Sequence, residues 1–456
     1  MSEKRISRRN LLRVGALGMG GAMLAACQPK VVEVTKVVKE VVKETVIVEG
    51  TPQTVEKVVE KVVTAQPTPK GKAQIIYYDR TSSATKWGDA WNALDSNIEV
   101  EVQIQPPGTR YEQLVAAITA GNAPDVIGLD CVQVGRFAQL GALMPLQDLI
   151  PVETMDTYFQ GLISNPRSFG FYEGNVVGVP FWLDMSVMFY NKEMMEAAGG
   201  DPEVGLLNWD EIKTVGKAAT RDDVFGMALG QVNAFIWGPY LWATGGDYCN
   251  PEWTESWADQ GDVEQTFQFF HDIVNVDKIT NDAPATSWGD MQNLFTAQKA
   301  MTVHTGGGFV GLIRREFPDL WEKLGICLIP GPQTGQNSSF IGGNVASVAT
   351  QTEELDASIE FLTWLTAGDG QQVTGEIGYL PGTPEAMNLD VYQADWDKYE
   401  PFKIGLDTGY ASDNDPRFDE AQAILNDAFM ASIIGETGMD EIINTCHTEL
   451  ERLFNR

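Results

Sequence analysis

Between residues 73 and 145 two rhythms of apolar positions take turns along the chain. Gln74-Ile75-Ile76-Tyr77-Tyr78 is a short apolar run, and Ile98 to Gln105 alternates apolar with polar, so both predict strands. Residues 84–95 place Trp87, Trp91 and Leu94 on one helical face. Thr109 to Gly121 repeats the pattern with Leu114, Ala117 and Ile118, and Gly121 is placed to end that helix. Asp125-Val126-Ile127-Gly128-Leu129 predicts a third, buried strand, followed by a helix over Val132–Leu140 that Gly141 ends. Alternating strand and helix predict a parallel sheet with right-handed crossovers. Ligands meet such a sheet at the carboxyl ends of its strands, which here carry Asp79-Arg80 and Asp130. A structural reading stands level with this one: the two aspartates as helix caps, Arg80 as a solvated charge.

The pattern before residue 73 is different. Residues 28–72 are built from Val, Lys, Glu and Thr. Val37, Val38, Val41 and Val42 recur at near-helical spacing, as do Val58, Val59, Val62 and Val63, whereas Val46-Ile47-Val48 reads as strand. Two valine stripes could form an oligomeric stalk. The preferred reading is a flexible spacer. Residues 1–27 show a basic start (Lys4, Arg5, Arg8, Arg9, Arg13), a glycine-rich apolar stretch too short to span a bilayer, and small residues before Cys27. Ser7-Arg8-Arg9-Asn10-Leu11-Leu12-Arg13 resembles a twin-arginine export signal, and Leu24-Ala25-Ala26-Cys27 resembles a bacterial lipobox. The resemblance implies lipid on Cys27, a new N-terminus there, and an exported protein held at the outer face of the cell membrane.

Composition narrows the function. The formal net charge of −31 excludes a basic face for nucleic acid. Cys131, Cys249, Cys327 and Cys446 are far apart and could pair in three ways, with Cys327 expected as a buried thiol in Ile326-Cys327-Leu328-Ile329. Three histidines, none near a cysteine, give no zinc-ligand spacing, and no cofactor is expected.

Several blocks occur in an ordered series. They are Ala123-Pro124-Asp125-Val126-Ile127, Phe137 to Leu146, Val177-Gly178-Val179-Pro180, Met188 to Gly199, Asn208-Trp209-Asp210-Glu211-Ile212, Thr296 to Val303, Leu328 to Pro332, Ile341-Gly342-Gly343-Asn344 and Phe361 to Leu365. The series resembles extracellular solute-binding proteins of sugar ABC importers over residues 73–456. The resemblance implies an α/β, periplasmic-binding-protein-like fold: two lobes joined by a hinge, with a ligand cleft between them. The chain would cross between lobes near Trp182-Leu183-Asp184, Phe340 to Gly343 and Tyr379-Leu380-Pro381. The first lobe would then take 73–183 with 341–383, and the second 184–340 with 384–456. It further implies a monomer that closes on a carbohydrate and docks on a membrane permease. The chain carries no Walker A sequence, so the ATPase would be another subunit.

Sugar rings pack their C–H faces on aromatic rings and need paired donors and acceptors for their hydroxyls. The candidate ligand residues are therefore Asp79, Arg80, Asp130, Trp182, Asp184, Trp237, Thr305, Gly306, Phe309, Gly343 and Tyr379. Phe235 and Tyr240 are spaced as core residues. Thr305-Gly306-Gly307-Gly308-Phe309 departs from the family's "G-P-W" and offers bare backbone ahead of a helix, suited to a uronate carboxylate or a neutral oligosaccharide. His304 is expected to satisfy a buried strand end. Two alternatives remain open: a lipid-anchored glycoside hydrolase, which needs two carboxylates flanking one bond, and a polyamine binder using Asp79, Asp130 and Asp184 as counter-charges.

Overall fold

The structure, a computed structural model, describes residues 35–48, 51–64, 72–105, 108–150, 169–230, 233–282, 286–383, 385–411 and 415–456. Cys27 and the export and lipobox motifs lie outside the described residues. The chain divides into two units, 1–71 and 72–456.

In the first unit, β1 (Thr35–Val48) pairs antiparallel with β2 (Thr51–Thr64) along its whole length. The spacer expected to be flexible is thus a hairpin over these residues, and the helical valine spacing is not realised. β-branched valine favours the extended backbone.

The second unit opens as predicted. β3 (Ala73–Asp79), α1 (Ala84–Asn92), β4 (Ile98–Ile104), α2 (Arg110–Thr119), β5 (Val126–Asp130) and α3 (Val134–Gln139) alternate, and β3 runs parallel to both β4 and β5. Trp87 and Trp91 are buried against Phe181 and Phe361, but Leu94 falls beyond the helix end and is exposed.

The rest of the sheet is mixed, with strand pairings of both directions. β6 (Val179–Asn191) is followed by β7 (Phe225–Ala228), α4 (Ala234–Trp242), α5 (Trp288–Thr296), β8 (Ala300–Gly306), α6 (Gly308–Glu316), β9 (Leu324–Cys327) and β10 (Phe340–Val348). Two short strands, β11 (Leu380–Pro381) and β12 (Tyr410–Ala411), and helix α7 (Phe418–Ile434) complete the site's surroundings. The strand order is β4-β3-β5-β10-β6-β8-β7, with β9 and β11 added to β6 and β12 to β10. β10 runs antiparallel to both β5 and β6. β6 is shared: residues 179–185 pair with β10, and 186–190 pair with β8. The fold is thus two α/β halves joined through one continuous strand.

The three expected crossover segments are neighbours. Gly342 sits opposite Asp184, Gly343 opposite Leu183, and Leu380 also opposite Leu183. Gly343 has φ +145°, and a Cβ there would overlap the Trp182 carbonyl oxygen, so only glycine fits. None of Cys131, Cys249, Cys327 and Cys446 forms a disulfide. Cys327 is half-buried rather than buried, yet desolvation still pushes its thiol up to about 11.

Candidate functional site

The parallel strands β3 and β5 end side by side, which brings the residues after them together. Arg80 forms an ion pair with Asp130 at 3.2 Å. Antiparallel β10 threads Asn344 between Asp130 on β5 and Trp182 on β6. The Arg80 Nε–H donates to Asn344 Oδ1 at 2.7 Å, and the Asn344 Nδ2–H donates to Asp79 at 2.9 Å. Asp79 is fully buried and also accepts from the Tyr77 hydroxyl (2.6 Å) and the Thr81 N–H (2.9 Å). It occupies the space that a side chain at Gly128 would take. Burial pushes its carboxyl up to about 6, with Tyr77, Thr81, Arg80 and Asn344 pulling the other way. Burial opposes the charge on Arg80, but Asp130, Tyr111, Asp79 and Asp184 outweigh it and hold the guanidinium firmly protonated.

Arg80 lies over the Trp182 ring at 5.0 Å, and Trp182 is stacked on Tyr379 at 4.3 Å. The Tyr379 and Thr81 hydroxyls are 3.1 Å apart. Asp184, on β6, accepts from the Gly307 N–H at 2.9 Å, and burial raises its carboxyl.

Arg80, Asp130 and Asp184 line a cavity of about 390 Å3 together with Arg110, Phe235, Trp288 and Phe340. Gly342, Gly343 and Gln422 of α7 also line it. Helix caps position two of the rings. The Asn233 side chain accepts from Ile236 N–H, placing Phe235 in the first turn of α4. The Ser287 hydroxyl accepts from Asp290 N–H, placing Trp288 at the first position of α5. Arg110 has no carboxylate partner among the described residues; its Nη1–H reaches the Arg80 carbonyl at 3.4 Å. Cavities of about 450 Å3 around Trp209 and Lys213 and about 520 Å3 along β3 and β4 are as large. The first of these holds one hydrogen-bonded charge pair, Lys213–Asp272 at 2.9 Å, but no linked set such as Arg80 makes with Asp130, Asn344 and, through Asn344, Asp79, so chemistry rather than volume selects the site.

Of the expected ligand residues, Arg80, Asp130, Asp184 and Gly343 line this cavity. Asp79, Trp182 and Tyr379 stand one layer behind it, around Arg80. Asp79 and Asp130 do not cap helices; they anchor Arg80 directly or through Asn344. Trp237 and Phe309 are corrections: both belong to the core. Trp237 is fully buried, with its Nε1–H on Asn426 at 2.8 Å, and Phe309 meets Phe189 edge-on at 5.4 Å. Thr305 and Gly306 are also buried. The Thr305 hydroxyl accepts from Gln292 at 2.9 Å, and a side chain at Gly306 would strike Asp184. The glycine loop gives its Gly307 amide to Asp184, where a ligand acceptor was expected. His304 satisfies no strand end. It is fully buried against Phe235 and Tyr240, neither ring nitrogen has a partner among the described residues, and burial pushes its imidazole down to about 3. Neither periodicity nor strand ends single out Arg110 or Trp288, and Phe235, whose spacing to Tyr240 fits a core residue, lines the cavity instead. The caps Asn233 and Ser287-x-x-Asp290 were the available signal for the two aromatics.

Residues 78–372 match the family model of the bacterial extracellular solute-binding protein. The arabinooligosaccharide-binding protein of Halalkalibacterium halodurans is 25% identical over 332 residues, 69% of this chain and 71% of that protein. Among solved structures, a tagatose-bound ABC transporter solute-binding protein from Thermotoga lettingae superposes with a TM-score of 0.74 at 18% identity, covering 84% of this chain and all of that one. The GacH receptor of Streptomyces glaucescens, solved unliganded and with acarbose, gives 0.73 at 22% identity, covering 84% and 99%.

Proposed function

The chain belongs to the bacterial extracellular solute-binding proteins, and from that premise we propose that it captures a carbohydrate in the Arg80–Asp130–Asp184 cavity and delivers it to the permease of an ABC importer. One observation carries the reading: fixed charged donors and acceptors line the same cavity as the half-buried rings of Phe235 and Trp288. Hydroxyls need the first and pyranose faces the second. The arabinooligosaccharide-binding relative supports the same ligand class.

Capture proceeds by hinge closure about the crossover at Trp182–Asp184, Phe340–Gly343 and Tyr379–Pro381, between lobes comprising 73–183 with 341–383 and 184–340 with 384–456. Export and a lipid on Cys27 keep the protein, as a monomer, beside its permease. Among the described residues no helix is long and apolar enough to cross a membrane. A polyamine is disfavoured by the charges: Asp79 is walled off, Asp130 is spent on Arg80, and Arg110 adds a second cation. A hydrolase is disfavoured by the family.

The test is a thermal-shift screen of mono- and oligosaccharides, followed by calorimetry on the hits. At least one sugar should raise the melting temperature and bind near micromolar, about −8 kcal/mol. Arg80→Ala and Phe235→Ala should each weaken binding on the order of tenfold to a hundredfold. Steady release of shorter sugars, or no sugar hit beside a polyamine hit, would replace the reading. Fractionation of cells making Cys27→Ala should show the protein leaving the membrane fraction with binding intact.

A further inference from the structure

Two elements assigned to different lobes meet beside the cavity. A single 3-10 turn, Cys131–Gln133, leads from β5 into α3 in the first lobe, and α7 lies in the second. The Gln133 Nε2–H2 group donates to both carboxylate oxygens of Asp419, at 3.0 and 2.9 Å, and the Arg136 guanidinium reaches the same carboxylate at 4.0 Å. Val132, next to Gln133, lines the cavity, and so does Gln422, about one turn along α7 from Asp419. The contact therefore borders the cavity from both lobes.

Gln133 is only 4% exposed, and its Oε1 has no partner among the described residues. Glutamine is mostly a surface residue, and one placed to stabilise the first lobe would bond within it. Here both bonds cross to the other lobe. Asp419 stands in the first turn of α7, where the helix dipole favours a carboxylate, so the acceptor is in place before Gln133 reaches it. Gln422 accepts from the Ala234 N–H at 3.3 Å and ties α7 to the helix that bears Phe235. Closing the contact brings Phe235 with it. Other cross-lobe bonds, such as the Tyr392 hydroxyl to the Tyr379 carbonyl at 2.7 Å and Arg315 to the Ile377 carbonyl at 3.0 Å, lie at or beside the Tyr379–Pro381 crossover. Rotation about a hinge keeps contacts at the pivot near their partners and separates the rest. Gln133 and Asp419 belong to no crossover segment, so their contact breaks as the lobes part.

Resting on the two-lobe reading of capture, we propose that Gln133, Asp419 and Arg136 form a latch, made in the closed form and broken in the open one, that sets how long a captured sugar stays. In the open form the amide and the carboxylate return to water, so the latch trades hydrogen bonds for hydrogen bonds and its net gain is modest. Arg136, partly exposed, adds little. A modest latch slows release without preventing it, which a delivering protein requires.

The experiment places spin labels at Leu140→Cys and Ile434→Cys, exposed positions at the ends of α3 and α7, and measures their separation by double electron–electron resonance. The full mature chain is compared with Asp419→Ala, with Gln133→Glu, and with the exchanged pair Gln133→Glu plus Asp419→Asn, each unliganded and with excess maltotriose or arabinotriose. Asp419→Ala should shift population from the closed separation to the open one. Gln133→Glu should shift it further, because it sets two carboxylates against each other. The exchanged pair reverses donor and acceptor and should restore the closed separation, which repaired packing would not explain. Dissociation of whichever trisaccharide binds, read by stopped-flow fluorescence without labels, should quicken about threefold to thirtyfold in the two single variants, with association changed less than about twofold. The separations decide where neither trisaccharide binds. Unliganded melting temperatures distinguish opening from unfolding, and where a Gln133 variant unfolds, Asp419→Asn and Arg136→Ala carry the test in the same direction. Wild-type separations in the folded single variants, or an exchange that fails to restore them, overturn the latch and leave hinge closure standing. One separation in the wild type under every condition, matched by every variant, overturns latch and hinge closure together and leaves the sugar assignment to the screen.

Discussion

Asp79 shows how one buried carboxylate can work against stability while serving the site. It reaches no ligand space, yet three donors converge on it and one of them, Asn344, also holds Arg80. Its carboxyl is raised from 3.8 to about 6, chiefly by burial. In the unfolded chain it loses its proton near the ordinary value, so between those two pH values the folded protein holds more protons than the unfolded one. Stability from this group therefore falls as pH rises through that window, by about 3 kcal/mol in all. Asp79→Asn has no proton to lose. The stability of the wild type relative to this variant should decline by about that amount from pH 4 to pH 7, measured by urea unfolding at a series of pH values. A difference that stays flat would place the titration elsewhere. The variant should also bind sugar about tenfold more weakly, because its new N–H2 opposes one of the three donors and frees the Asn344 amide to turn from Arg80.

At the scale of elements, the crossover rests on two glycines with different duties. Gly343→Ala must fit a Cβ against the Trp182 carbonyl with φ at +145°. The cost should be on the order of 3 kcal/mol, with β10 and β6 parting at Leu183. Gly342→Ala meets only the edge of the Phe340 ring at 3.0 Å, which can turn aside. It should leave stability within about 1 kcal/mol and weaken sugar binding by moving a cavity wall. Denaturant midpoints beside calorimetric affinities separate the two; equal stability losses would sink the distinction. The same elements show what a sequence makes legible. β3, β4, β5 and their helices follow from local periodicity, and Arg80 and Asp130 follow from where parallel strands end. Asn344 does not, because its place between Asp130 and Trp182 depends on strand pairing across more than 150 residues. Trp237 and Phe235 stand two residues apart on one helix with opposite fates, one in the core and one on the cavity. Only the packing around α4 decides between them. In the leading segment valine spacing fitted helix and strand alike, and β-branching favoured the hairpin.

For the whole molecule, the cavity's charge balance has a consequence outside the cavity. Its lining carries two arginines and two aspartates, a neutral set, inside a chain with a net charge of −31. A neutral sugar entering it releases no counter-ions and changes no net charge. Equilibrium affinity should then be nearly indifferent to ionic strength, varying less than about twofold between 0.02 and 0.5 M salt, where the screening length shrinks from tens of ångströms to a few. An anionic sugar meets a different molecule. Its approach is opposed by the long-range field, so added salt should speed its association. Stopped-flow fluorescence on a neutral sugar and its uronate would reveal the contrast, and matching salt responses would contradict it. The acidic surface acts as a kinetic filter on the charge of arriving solutes, leaving the cavity to judge their shape.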